Sequence, residues 1–140
     1  MKRIFQTAVN TNQLDYIILL LRITVTVFMI THAIPKMNKL IAGGEIQFPD
    51  PIGMGPSISL VLTLFAELFC SILIGFGFLT RLAAFPLIIT MAVAAFIVHA
   101  GDPFKQKELS LMYLILYIVL FIIGSGKYSV DSYISKKKKK

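Results

Sequence analysis

Four long apolar stretches constrain this chain more than anything else in it. They cover residues 15–35, 57–79, 81–99 and 108–124. Each is close to the ~20 residues that an α-helix needs to cross a hydrocarbon core roughly 30 Å thick. Lipid offers no hydrogen-bond partner to the backbone, so only helices and closed barrels cross it. Continuous apolar runs of this length, without strand-like alternation, are helical. The expected fold is therefore an all-α membrane protein, a bundle of four transmembrane helices. It forms a single domain over residues 1–140, with a basic tail at 125–140.

Composition agrees and excludes other classes. The chain is 56% hydrophobic and 15% charged, too apolar for a soluble domain. Its formal net charge of +7 is mostly the terminal run Lys136–Lys140. A nucleic-acid binder spreads basic residues over a folded surface, so that class is excluded. The single cysteine, Cys70, rules out an intramolecular disulfide or a CxxC couple. A signal peptide does not account for the first stretch. The apolar run is too long, Arg22 lies inside it, and no A-x-A site follows.

Four spans bring both termini to one side. That side carries Lys2, Arg3, Arg81, Lys127 and the lysine tail, against Lys36, Lys39, Lys105 and Lys107 on the other. The positive-inside rule then puts both termini in the cytoplasm. The tail should attract anionic lipid. Gly77 and Thr80 bracket a very short turn, with Gly77 as helix stop and Thr80 as the next N-cap. Spans two and three are thus antiparallel neighbours, and Pro86 is expected to kink the third.

Ionisable residues at membrane depth are costly and mark candidate sites. Arg22 lies ~10 Å from the inner edge and Glu67 ~15 Å from the outer edge, so an arginine side chain spans the ~5 Å between their depths. A buried Arg22–Glu67 pair is one reading, and an Arg22 that snorkels to the headgroups is the other. His32 and His99 fall at the outer ends of spans one and three. Such histidines are often only polar anchors. As a shared site they would hydrogen-bond a quinone carbonyl or relay protons. No metal or haem spacing accompanies them. Asp102 reads first as an N-cap, with Pro103 at the first helical position. Glu108, near the start of span four, suits the helix dipole. "GSGKYS" lacks the phosphate-loop pattern, and Tyr128 and Tyr133 suit an aromatic belt at the interface.

The segments "LLLRITVTVFMITHAIPK", "AELFCSILIGFGFLTRLAA", "FIVHAGDPF" and "GSGKYSVD" follow one another in that order. This set resembles the DoxX family of small bacterial four-helix membrane proteins, from about Leu19 to Asp131. The resemblance matches Arg22, His32, Glu67–Leu68, Gly77, Thr80–Arg81, His99 and Asp102–Phe104 to the family pattern. Ala33 departs from it, a glycine often following the histidine, and so does the Gly/Pro-rich loop 41–56. Relatives include the membrane subunit of a quinone-reducing thiosulfate oxidoreductase, and members of membrane complexes tied to oxidative-stress defence and thiol or sulfur metabolism. The resemblance implies a subunit of a redox complex in the bacterial inner membrane, a quinone-linked oxidoreductase subunit rather than a stand-alone enzyme. A quinone would be its cofactor and a redox protein its partner, with a homo-oligomer left open. Arg22, Glu67, His32, His99, Asp102 and Glu108 would then bind the ligand and pass protons. A non-catalytic scaffold or assembly factor is the second reading, and an oligomeric small-solute carrier the third.

Overall fold

The computed structural model describes residues 10–137. Lys2, Arg3 and the last three lysines, on which the topology argument draws, lie outside the described residues. All regular structure among those residues is helical: α1 (Thr11–Ala42), α2 (Pro56–Phe76), α3 (Thr80–Val98), α4 (Phe104–Ile123) and a short α5 (Val130–Lys137). The first four are each long and apolar enough to cross a membrane. The protein is a four-helix membrane bundle.

The core follows from helical periodicity. On α1 the buried residues Ile18, Arg22, Val25, Met29 and Ala33 are spaced three to four apart so that they form one stripe, with Thr26 beside it. This stripe meets Ala66, Cys70 and Ile74 of α2, Ala83, Ala84, Leu87 and Met91 of α3, and Tyr113, Tyr117 and Leu120 of α4. The alanines matter because lipid is as apolar as leucine. Association in a bilayer therefore depends on close approach, which small residues permit. Large apolar residues such as Leu20, Phe28, Phe96 and Ile122 face outward, where lipid covers them.

Two boundaries differ from the sequence expectation. Helix α1 runs on through Pro35 to Ala42. Its added turns pack Met37 and Leu40 with Ala33, Leu60 and Leu64, and with Ile46 and Phe48 of the following loop. At 1.5 Å per residue its 32 residues reach about 48 Å, so its far end stands beyond the hydrocarbon core. Helix α4 begins a turn before Glu108, at Phe104. Asp102 does not cap it: Pro103, with ψ 151°, holds the N-cap position and no side chain bonds there. The Asp102 carboxylate is drawn instead to His99 Nδ1, 2.7 Å away.

The turn between α2 and α3 stops at Gly77 as expected. Gly77 takes the left-handed conformation at φ 68°, with Phe78 N–H donating to the Leu73 carbonyl and Gly77 N–H to that of Ile74. This paired closure satisfies carbonyls that a helix end leaves orphaned. Thr80 is not the N-cap of α3. Leu79, at φ 48°, occupies that position without a capping side chain. The Asp131 carboxylate of α5 accepts instead from Leu79 N–H at 2.8 Å and Thr80 N–H at 3.2 Å. A cap supplied from more than 50 residues away leaves no local signature.

Two of the spans contain a wider π-helical turn, at Phe65–Cys70 in α2 and Ala94–Val98 in α3. Such turns are rare, shift the register of the side chains that follow, and concentrate at functional sites. Here one contains Glu67 and the other ends at His99.

A candidate ligand cavity and the polar groups that frame it

Arg22 does not pair with Glu67, nor does it snorkel. Buried at 1% exposure, its guanidinium donates from Nε to the Ile74 carbonyl at 2.9 Å and from Nη2 to that of Gly75 at 2.8 Å. Nη1 reaches the carbonyls of Ser125 at 2.6 Å and Tyr128 at 3.0 Å. Arginine's fixed fork of donors suits such a set, and a positive charge at the C-terminal end of α2 is favoured by the helix dipole. The "GSGKYS" segment thus has a structural role, supplying carbonyls to Arg22. Lys127 N–H donates to Asp15 Oδ1 at 2.9 Å, which ties the same loop to the start of α1. This end of the bundle is a lock.

The opposite end holds a cavity of about 510 Å³, within the range of small-molecule sites. Helix α2 gives it Leu62, Phe65 and Ala66, and α3 gives it Phe85, Pro86, Ile89 and Val93. The α1–α2 loop roofs it with Phe48, Pro49, Pro51 and Ile52. Asp50 anchors that roof, accepting from Gly55 N–H at 2.8 Å, Met54 N–H at 3.1 Å and the Ser59 hydroxyl at 2.7 Å. These bonds, that of Ser59 foremost, hold the Asp50 carboxyl below its ordinary pKa.

Polar groups on the lining are few. The hydroxyls of Thr63 and Thr90 are spent on carbonyls one turn back, Ser59 and Pro86. Both Glu67 carboxylate oxygens accept from Lys36 Nζ. The Glu67 side chain is 4% exposed and that of Lys36 28%, so the pair stands in the wall with the cation toward the open space. His99, half-buried, lines the cavity as well. A carboxylate on Nδ1 orients the ring and leaves Nε2 for another partner.

Of the six residues singled out in the sequence, the fold thus brings Glu67 and His99 to one cavity, with Asp102 behind His99. Arg22 belongs to the lock. His32 is exposed on α1, edge-on to the Tyr113 ring at 6.0 Å between centroids. Glu108 is exposed on α4, and its carboxylate makes no hydrogen bond among the described residues. Lys36, Asp50 and Asp131 were missed. A signal for Lys36 existed, because Arg22, Val25, Met29, Ala33 and Lys36 continue one helical stripe, provided Pro35 is not taken as a stop.

The order of these parts can be set against known proteins. The DoxX family model matches residues 17–100. The chain belongs to the DoxX family. This DoxX protein is 34% identical over 99 residues to one Haemophilus influenzae protein, 66% of either chain. It is 31% identical over 132 residues to another from the same organism, covering 87% of this chain and 93% of that one. Both carry only the name "Uncharacterized protein". A Bacillus subtilis protein named "Putative oxidoreductase CatD" is 30% identical over 122 residues, 86% of this chain and 89% of the relative. No solved structure matches.

Proposed function

We propose that this DoxX protein is the membrane subunit of a redox complex, and that its cavity binds the headgroup of a quinone. The observation that carries the reading is the make-up of the cavity. An apolar slot opens among membrane spans, and two polar stations, Lys36–Glu67 and His99–Asp102, stand on its wall. A flat apolar ring bearing carbonyl oxygens is the ligand such a slot suits. The name borne by the Bacillus subtilis relative points the same way.

A bound quinone would supply two-electron, two-proton carrier chemistry. Lys36 Nζ would donate to a carbonyl oxygen, with Glu67 holding the ammonium in place. His99 would exchange a proton at Nε2, steadied by Asp102 at Nδ1. Electrons would come from a redox protein partner, because a lone Cys70 offers no dithiol couple. The membrane would be the bacterial inner membrane with both termini in the cytoplasm. Lys36, engaged by Glu67, no longer counts as a loop charge, which sharpens the positive-inside bias. The lysine tail would rest on anionic lipid.

Purification in mild detergent, with mass spectrometry of the extracted lipid, tests this. A quinone should co-purify with the wild type, and Ile89→Trp, which fills the slot, should expel it. His99→Ala should lower binding of a short-chain quinone about tenfold, the loss of one good hydrogen bond to a ligand. Absence of both retained quinone and saturable binding would sink the proposal. A scaffold role is the second reading, favoured by the mutual satisfaction of Lys36 and Glu67. It expects Glu67→Gln to lower complex yield while leaving turnover per assembled complex intact.

A further inference from the structure

We propose that the lock end carries a second site, which binds the phosphate of an anionic lipid headgroup between the start of α3 and the end of α4. A pocket of about 500 Å³ lies there, lined by Leu79–Leu82, Ile123–Gly126 and Asp131. It sits where two spans of about 20 residues terminate, so it falls at the boundary between hydrocarbon and headgroups.

The pocket holds more donors than the fold uses. Arg81 Nη2 donates to the Ile122 carbonyl at 3.1 Å. That bond aims the guanidinium across the end of α4, against Gly124, where an added Cβ would stand 3.5 Å from Nε. The other N–H groups of Arg81 have no partner among the described residues. The backbone N–H groups of Ser125 and Gly126 likewise donate to nothing among the described residues. Thr80 is 1% exposed and its buried hydroxyl is without a partner.

Asp131 is the acidic group on the pocket lining, and it is occupied; Asp15, whose Oδ1 lies 3.4 Å from where a Cβ on Gly126 would stand, accepts from Lys127 N–H. Both Asp131 oxygens are held by the Leu79 and Thr80 N–H groups. A cation, a buried orphan hydroxyl and unspent backbone donors around one hollow select an anion, since an unpaired buried donor costs free energy until it is met. A phosphate accepts from several such donors at once.

The surroundings decide for a lipid. Leu82, at 68% exposure, and Ile123, at 43%, carry the apolar wall of the pocket onto the bilayer-facing surface. Acyl chains can lie there while the phosphate meets Arg81. A free phosphate gains nothing from those walls. Lys127, Lys136 and Lys137 add positive charge at the same end. They disfavour a headgroup that carries its own cation.

Native mass spectrometry from mild detergent provides the test, with phosphatidylglycerol, phosphatidylcholine and inorganic phosphate as probes. One phosphatidylglycerol per chain should be retained in preference to phosphatidylcholine, and millimolar inorganic phosphate should not displace it. Arg81→Gln should weaken retention about tenfold or more, the equivalent of one charge-assisted contact. Thr80→Val, which removes a hydroxyl the fold does not use, should weaken it while leaving the melting temperature unchanged. Equal retention by wild type, Arg81→Gln and Thr80→Val overturns the proposal. So does a loss that follows only Lys136→Gln with Lys137→Gln, or displacement by inorganic phosphate.

Discussion

Replacing Arg22 by methionine tests the lock directly. The substitution keeps an apolar stem of similar length and removes four hydrogen bonds from a charged donor. Each such bond is worth about 1.5–3 kcal/mol, but the four do not add. The Ser125 and Tyr128 carbonyls belong to a partly exposed loop, where water replaces the lost donor. Those of Ile74 and Gly75 end a helix against a buried core, where nothing does. Counting only that buried pair gives a loss of about 3–5 kcal/mol, which lowers the melting temperature on the order of 10 °C for a chain of this size. Arg22→Lys should fall between, because one ammonium cannot span two helix-end carbonyls and a loop. Circular dichroism melts in mild detergent give the measurement. A fall of less than about 2 °C for Arg22→Met would refute the lock. A double-mutant cycle between Arg22→Met and Glu67→Gln adds a sharper condition. The two should add within about 0.5 kcal/mol, because the groups do not touch, and a coupling above about 1 kcal/mol would restore the direct pair.

The Lys36–Glu67 pair should behave in the opposite way. Lys36→Met alone strands a buried carboxylate and should cost about 1–3 kcal/mol, discounted for the partial exposure of the lysine. Adding Glu67→Leu should recover most of that loss in the same melts, and failure to recover would mean the pair is not the contact that matters. Gly77→Ala should cost more than about 2 kcal/mol, since the added Cβ would lie 2.6 Å from both Arg22 Nη2 and Ser129 Cβ at a left-handed backbone position. A near-neutral melt would contradict it. Asp50 should make the roof of the cavity sensitive to acid. Its folded pKa is depressed below the ordinary 3.8, so its stabilisation is complete above that value and is lost as pH falls through the lower, folded one. Hydrogen exchange at the Met54 and Gly55 amides should speed up, relative to unstructured amides, over that range in the wild type. In Asp50→Asn, protection that stays equally pH-dependent would exclude this carboxylate as the cause.

The parts of this fold that were legible in the sequence are those where local chemistry decides. The spans could be read because a bilayer forces the backbone to satisfy itself within a continuous apolar run. Gly77 could be read as a stop because a left-handed turn needs it. Legibility failed wherever a side chain finds its partner across the bundle. Asp131 caps a helix that begins at Thr80, and nothing near Thr80 announces this. Asp102 satisfied every local rule for an N-cap, yet His99 outcompeted the backbone for its carboxylate.

Depth along the membrane and azimuth around each helix are separate quantities. The sequence alone determined depth: four spans, both described ends at one end of the bundle, Arg22 and Glu67 in the interior. Only the tertiary structure decided azimuth, because the path of α1 through Pro35 and the π-helical turns in α2 and α3 reset which side chains face one another. That rotation gave Glu67 to Lys36 and Arg22 to four backbone carbonyls. The two buried charges, for which a direct pair was one of two readings, became the two ends of the bundle, one locked and one hollow.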